Sequence, residues 1–409
     1  MEIKNTQQLK KHNRSLILNE IIENGPLSRK ELTESLDISQ GAVSYLVKDL
    51  LEQRMIKETK SQKSTGGRPP RKLDFLGERR VVIAVELQAF SIVYKIYNLN
   101  FETLKERNID ILTNSSVSNL SSEEIWEYFD LLQEKIDTDL QVIGIDDESI
   151  IGVGVSVPGI YDYNTGRLTD TLDTVWQNRD IGSFFMGIGK KYSCSVFIKN
   201  DANLAAYFEC HYGVGQDFSN LIYLFISEGI GSGIIIDNGV YEGAHGNAGE
   251  LGHIKVSEDG KRCSCGGWGC LETVASGKAL RQEVNLRVNA SQTESVLSRL
   301  HDPPYQLQDI IAAYKNYDSL CHKVVGKAVN SIIIALSGVV SFFDPALLIV
   351  GDTFNLFDER LVNEMESRIK KMCYPNIGKN LRVKKKTSRA NFQLQAVAYY
   401  VFDTWKLNV

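Results

Sequence analysis

Three thiols and one imidazole carry the sharpest chemistry in this sequence. Cys263, Cys265 and Cys270 fall within the run Cys-Ser-Cys-Gly-Gly-Trp-Gly-Cys, and His253 precedes Cys263 by ten residues. One nitrogen and three soft sulfurs match the number and type of donors in a closed tetrahedral zinc site. Four protein donors leave no coordination position open, so an ion held there braces a loop and does not activate water. A disulfide needs an oxidising compartment. Met1 to Asn5 start no apolar signal segment, so a reduced, cytoplasmic chain is the expectation. Cys194, Cys210, Cys321 and Cys373 stand singly and read as small core residues.

Polar side chains suited to a polyol lie around the thiols. Glu250 comes three residues before His253 and Glu272 two after Cys270, so bracing the loop would position both carboxylates. Farther back, Lys199-Asn200-Asp201-Ala202-Asn203 ends an apolar strand and opens a helix, the kind of junction where ligands collect in α/β folds. Asn200 both donates and accepts, while an ionised Asp201 only accepts, a combination that suits neighbouring hydroxyls. Asp201 is equally suited to capping the helix it opens.

These groups need elements to carry them, and the first elements belong to a separate head. Residues 1–72 hold 14 Lys and Arg against 9 Asp and Glu, so a basic head precedes a body that accounts for the net charge of −5. That asymmetry suggests that only the head meets nucleic acid. Apolar residues from Leu9 to Ile22 recur at helical spacing and stop at Asn24-Gly25-Pro26. Ser28 and Glu31 form a capping-box pattern for a short helix over 29–36. Ser39 then caps a third helix whose apolar stripe is Val43, Leu46, Val47, Leu50 and Leu51. Its other face carries Gln40 and Ser44, suited to base edges, and Tyr45 and Lys48, suited to phosphate. This is the helix-turn-helix order, with the second helix aimed at the major groove. A three-helix protein-binding module has the same pattern. Two short strands then flank a loop containing Lys63, Gly66, Gly67, Arg68, Pro69, Pro70 and Arg71, which reads as a wing able to put Arg68 in a minor groove, or as a flexible linker.

The body reads as α/β. Strands are expected at Val81–Leu87, Ile92–Tyr97, Ile150–Val157, Ser195–Lys199, Leu221–Ser227 and Ile234–Asp237, with helices at 123–135, 202–212, 322–343 and 359–371. At 409 residues the chain is too long for one core. The expected division is a winged helix-turn-helix over 1–72, a linker over 73–80, one lobe over 81–199, and a second lobe with the metal loop over 200–388. A C-terminal helix in 389–409 would return to the first lobe. No run approaches the roughly 20 apolar residues of a membrane span.

Taken together, these motifs resemble the ROK family (repressors, open reading frames and kinases), in particular its xylose-repressor-like and N-acetylglucosamine-repressor-like members. The resemblance implies a two-lobed actin- and hexokinase-like body. It implies sugar contacts by Asn200, Asp201, Glu250, His253 and Glu272, and structural zinc on His253, Cys263, Cys265 and Cys270. Val157-Pro158-Gly159-Ile160 resembles the family's loop beside the sugar. In the family's kinases the residue matching Asp201 is the general base, and the first phosphate loop reads Asp-x-Gly-x-Thr. Here that stretch is Glu86-Leu87-Gln88-Ala89-Phe90, so a bulky amide and a ring stand where phosphate needs room. A second loop, Glu228-Gly229-Ile230-Gly231-Ser232-Gly233, keeps its glycines but sets Glu228 where repulsion of a triphosphate is expected. The implied function is a repressor whose affinity for double-stranded operator DNA is changed by a sugar or sugar-phosphate effector. A homodimer or homotetramer is expected, and the alternative is an ATP-dependent sugar kinase with a DNA-binding head.

Overall fold

The computed structural model describes residues 6–60, 71–111, 120–169, 171, 175–289, 295–299, 303–387 and 392–408. The head consists of α1 (Thr6–Asn24), β1 (Leu27–Ser28), α2 (Arg29–Leu36), α3 (Gln40–Glu52), β2 (Ile56–Lys60) and β3 (Arg71–Phe75). The Ser28 hydroxyl accepts from the Glu31 amide at 3.2 Å and the Ser28 amide donates to the Glu31 carboxylate at 2.6 Å, so the capping box starts α2 as its sequence dictates. Ser39 caps α3 through the Ala42 amide. Ile17, Leu18 and Ile21 of α1 meet Leu32, Val43, Leu46, Val47 and Leu50 in a small closed core. β2 and β3 pair antiparallel from Ile56–Phe75 to Lys60–Arg71, with β1 on the other side of β3. These strands are the stem of a wing whose tip, residues 61–70 with Lys63 and Arg68, lies outside the described residues. Because β3 runs to Phe75, the connection to the body is shorter than the 73–80 reading and reduces to Leu76–Arg80, a single 3-10 turn.

The first lobe contains β4 (Val81–Gln88), β5 (Ser91–Asn98), β6 (Thr103–Asp110), α4 (Ser122–Ile143), β7 (Ile150–Val157), a hairpin of β8 (Ile160–Asp162) and β9 (Arg167–Thr169), α5 (Gly182–Lys191) and β10 (Ser195–Asn200). The sheet order is β10-β7-β4-β5-β6, parallel among β10, β7 and β4 and antiparallel beyond. All of β7 is buried, which explains its unbroken run of apolar and small residues. The second lobe opens with α6 (Asp201–Tyr212), β11 (Leu221–Ile226), β12 (Ile230–Ile236) and β13 (Gly239–Val240). It continues through α7 (Glu272–Ala275), α8 (Gly277–Asn289), α9 (Leu307–Lys315), α10 (Ser319–Phe343) and β14 (Leu347–Asp352), then α11 (Glu359–Met372), α12 (Pro375–Asn380) and β15 (Arg382–Lys385). Its sheet order is β13-β12-β11-β14-β15. β12 begins at Ile230, four residues before the apolar pattern suggests, because Gly231 and Gly233 lie inside the strand where α6 packs closely. α10 is long and apolar enough to cross a membrane. Here its apolar residues are the centre of the second lobe, packed by α7, α8, α9 and α11.

The last helix, α13 (Gln393–Asn408), joins all three parts. Its Val397 and Val401 sit on Gly154 and Gly152 of β7, where an added Cβ would meet their methyl groups at 2.6 and 2.7 Å. Its other sides pack on α6 and on α1 of the head. One apolar cluster therefore takes Val82 and Ala84 from the first sheet, Tyr223 and Ile349 from the second, and Val397 and Val401 from α13. Overpacking such a contact costs about 1–3 kcal/mol. Gly154→Val is expected to lower Tm in calorimetry and to expose α13 to limited proteolysis, whereas Gly326→Val, on an open face of α10, should change neither.

Candidate functional site

The parallel strands of the first lobe end side by side. In register, Glu86 of β4 lies beside Ser156 of β7, and Asn200 of β10 lies beside Val157. The loop after β7 and the N-terminus of α6 thus share one edge of the cleft, the position where parallel sheets offer ligand sites. Asn200, and not Asp201, is the N-cap of α6. Its Oδ1 accepts from the Ala202 and Asn203 amides at 2.9 and 3.1 Å, and its Nδ2 donates to the Gly159 carbonyl at 3.1 Å. Asn200 therefore ties the Pro158–Gly159 loop to the helix start and keeps one N–H for a ligand.

That capping leaves Asp201 in the first turn of α6, with its carboxylate on the Ala202 amide at 2.7 Å. Burial pushes its pKa up to about 7, and the carboxylates of Glu86, Asp352 and Glu250 add to the rise against the opposing pull of the Ala202 amide. Burial likewise raises Glu86. Acids from both lobes thus lie near enough to oppose the charge of Asp201, a setting that suits uncharged, hydroxyl-rich ligands better than phosphates.

Glu250 precedes and His253 ends a 3-10 turn over Leu251–His253, which brings His253 Nε2 to 3.8 Å from the Glu250 carboxylate. The other ring nitrogen, Nδ1, is 3.5 Å from Cys263 Sγ. His253 is therefore shared, one edge toward Glu250 and one toward the thiols. Cys265 Sγ and Cys270 Sγ are 3.6 Å apart, and the four donor atoms lie within 4.8 Å of one another. A tetrahedral ion with bonds of about 2.3 Å to sulfur and about 2.0 Å to nitrogen needs edges of about 3.8 Å between sulfurs and about 3.5 Å from sulfur to nitrogen. The donors fit such an ion. Lys255 Nζ lies 2.9 Å from Cys270 Sγ, where its ammonium would offset the excess negative charge of three metal-bound thiolates. The loop closes on itself through Val256 and Leu271, whose amides reach Gly269 and Ile254, and Gly269 at φ +68 has no room for a Cβ against the Ser257 carbonyl. Glu272 is buried and accepts from the Ile230 amide at 3.1 Å, locking the loop to β12. It lines a cavity of about 250 Å³ with Glu228, Cys263 and Lys278.

The phosphate side departs from the sequence reading in one respect. Glu228 is paired through both oxygens with the Arg281 guanidinium, so its charge is largely offset and repels a triphosphate less than expected. Bulk at the first loop is the stronger obstacle. Gln88 ends β4 at the β4–β5 turn, accepting from Ser91 Oγ at 2.9 Å through its side chain and from the Trp176 indole through its carbonyl. Asp352, at the end of β14, is held by the buried Lys386 ammonium and by the Tyr223 hydroxyl at 2.9 Å. Asp352 escaped sequence reasoning because nothing in Ile349-Val350-Gly351-Asp352 marks it. Ser156 Oγ, Asn203 Oδ1 and both amide atoms of Gln393 are buried without hydrogen-bond partners among the described residues. Gln393 sits one turn before Val397, and Ser156 two residues beyond Gly154, so they share a face at the cleft floor. An isolated polar residue in an apolar run was their only signal.

On the head, Gln40, Ser44, Tyr45 and Lys48 are exposed on α3, while Val43, Leu46, Val47 and Leu50 are buried. Lys48 has only a weak exposed pair with Glu52 at 3.7 Å. Tyr45 Oη accepts from Lys10 Nζ at 3.0 Å, which adds a cation from α1 that periodicity in α3 could not reveal.

Residues 84–399 match the model of the ROK family, and the chain belongs to that family. Residues 11–64 match the model of the MarR family. A xylose repressor of Bacillus spizizenii is 29% identical over 380 residues, covering 92% of this chain and 91% of the repressor. A crystal structure of a ROK-family transcriptional regulator, a homologue of the E. coli MLC protein, aligns with a TM-score of 0.82 at 25% identity, covering 98% of this chain and 97% of that one. A ROK hexokinase from Thermus thermophilus shares the fold at a TM-score of 0.62 and 22% identity, covering 80% of this chain and 99% of the kinase. The body fold is therefore common to a regulator and a kinase, and the regulator also spans the head.

Asp201 gives a pH test. Its folded pKa lies above the unfolded value of about 3.9, so the folded state takes up the extra proton. The group favours folding least above pH 7, and its penalty disappears as pH falls toward 4. Asp201→Asn should raise Tm clearly at pH 8 and much less at pH 5 in scanning calorimetry. An equal gain at both would contradict the charge argument.

Proposed function

We propose that this protein is a sugar-responsive transcriptional repressor, with a DNA-binding head whose operator affinity falls when an uncharged sugar occupies the cleft at Asn200, Asp201, Glu250, His253 and Glu272. The observation that carries the reading is Asp201 beside the Asn200 cap of α6, opposed by the charges of Glu86, Asp352 and Glu250 in a setting suited to uncharged hydroxyls, together with Gln88 at the β4–β5 turn where the family's kinases have a small residue. Gln40, Ser44, Tyr45, Lys48 and Arg68 are the DNA contacts in this reading. Two or four chains would present paired heads to half-sites about one or more helical turns apart. The relative named for xylose makes a pentose or hexose the first effector to try. The protein works in the cytoplasm and catalyses no reaction.

The ion held by His253, Cys263, Cys265 and Cys270 is zinc in this reading, chosen by three thiolates and tetrahedral spacing. It holds the loop carrying Glu272 and orients the imidazole toward Glu250. Cys265→Ser is expected to reduce zinc from one per chain to a small fraction by elemental analysis and to weaken sugar binding, while leaving DNA binding without sugar within about twofold.

The function is tested on duplex DNA selected by the protein from a random pool, followed by anisotropy titrations with D-xylose, D-glucose, N-acetylglucosamine and their phosphates. One uncharged sugar should weaken binding by tenfold or more, within the usual span of allosteric coupling. Glu250→Gln should abolish that response and leave the sugar-free Kd unchanged, whereas Lys48→Ala should weaken DNA binding with or without sugar. If no sugar shifts the titration while one stimulates ATP hydrolysis, the kinase reading replaces this one.

A further inference from the structure

α6 carries the sugar-facing residues at its first turn and two tyrosines farther along. Tyr207 lies six residues beyond Asp201, about 9 Å along the axis at 1.5 Å per residue. The Tyr207 hydroxyl donates to Asp403 Oδ2 at 2.5 Å and the Tyr212 hydroxyl to the same oxygen at 2.6 Å. Asp403 is buried on α13, and its nearest cation is Lys406 at 2.9 Å on the same helix. A carboxylate in this setting needs these donors, because an unpartnered buried charge is costly. The two helices are therefore linked by a polar joint with a fixed geometry, set among apolar and aromatic contacts that could slide.

The other end of α13 holds the head. Ser15 Oγ of α1 donates to the Lys406 carbonyl at 2.6 Å, one turn from Asp403. Trp405 packs both with the α13 cluster and with the core of the head, and the Arg80 guanidinium lies over its ring at 5.8 Å while bonding the Gln53 carbonyl at the end of α3. The lobes divide these helices between them. α6 lies on β11 and β12 of the second lobe, whereas α13 lies on β4 and β7 of the first. A ligand that draws the lobes together at the start of α6 must then turn α6 against α13, and the hydrogen-bonding side chains that join those helices there are Tyr207, Tyr212 and Asp403, beside the ring contacts of Tyr207 with Tyr400 and of Tyr212 with Tyr399.

We propose that Asp403, gripped by Tyr207 and Tyr212, is the positioning residue that passes sugar occupancy at α6 through α13 to the DNA-binding head. This rests on the sugar-responsive reading above. The joint converts lobe closure into a shift of the α13 end on which α1 sits, so sugar binding and DNA binding exchange free energy through two helices and one carboxylate.

The test uses the full chain with Tyr207→Phe/Tyr212→Phe, which keeps both rings, and Tyr212→Phe alone as the milder variant. Calorimetry gives the Kd for D-xylose, D-glucose and N-acetylglucosamine, and anisotropy gives the operator Kd with and without the sugar that binds. Both Kd values of the double variant should stay within about threefold, while the sugar-induced change in operator Kd falls at least tenfold, with the single variant between. An unchanged ratio in a folded double variant overturns the joint. A wild-type chain that binds none of the three sugars counts against the sugar reading instead. Amide hydrogen exchange then decides the joint, since the double variant should speed exchange in α1 and not in α4. Equal rates in α1 of wild type and variant overturn it.

Discussion

The structure depends on how closely α13 approaches β7. Gly152 and Gly154 remove the side chains that would hold the helix away, and Val401 and Val397 occupy the space. Glycine in a strand sacrifices conformational entropy and side-chain packing, while each valine buried there gains about 1.5–3 kcal/mol. The exchange favours docking. It also makes α13 a wall common to the first sheet, α6 and the head, so the three parts cannot move independently.

The cleft shows the opposite balance. Burial raises the cost of ionising Asp201 and Glu86, and the charges of Glu86, Asp352 and Glu250 push the Asp201 carboxyl further, up to about 7. Such a site is destabilising when empty, and a ligand that donates several hydroxyls relieves the strain. Around it the structure invests in rigidity. The thiol loop, the Asn200 link to Gly159 and the Glu272 link to β12 hold the polar groups in place before any ligand arrives. Preorganisation of this kind reduces the ordering cost of binding.

Much of the fold was legible because its signals are local. The Ser28–Glu31 box, the Ser39 cap and the α3 stripe each depend on residues within one or two helical turns, and the structure repeats them. The thiol run and its histidine were equally plain. Less legible were β6 and the true start of β12, where polar or glycine residues interrupt the apolar pattern that marks a strand. The family model and the aligned regulator agree with the two-part architecture read from these motifs.

The site was legible as a set of residues and not as an arrangement. The sequence by itself determined the donor chemistry of the metal loop and the polar outer face of the recognition helix, because these follow from residue type and short spacing, and the bulk of Gln88 stood out through the family resemblance. Only the tertiary structure decided that Asn200 caps α6, that Arg281 offsets Glu228 from 53 positions away, that Asp352 joins the cleft, and that Asp403 links α6 to the head. The physical reason is range. Hydrogen bonds within a turn are set by neighbours in the chain, whereas the partner and the dielectric surroundings of a charge are set by elements that meet only when the cores close.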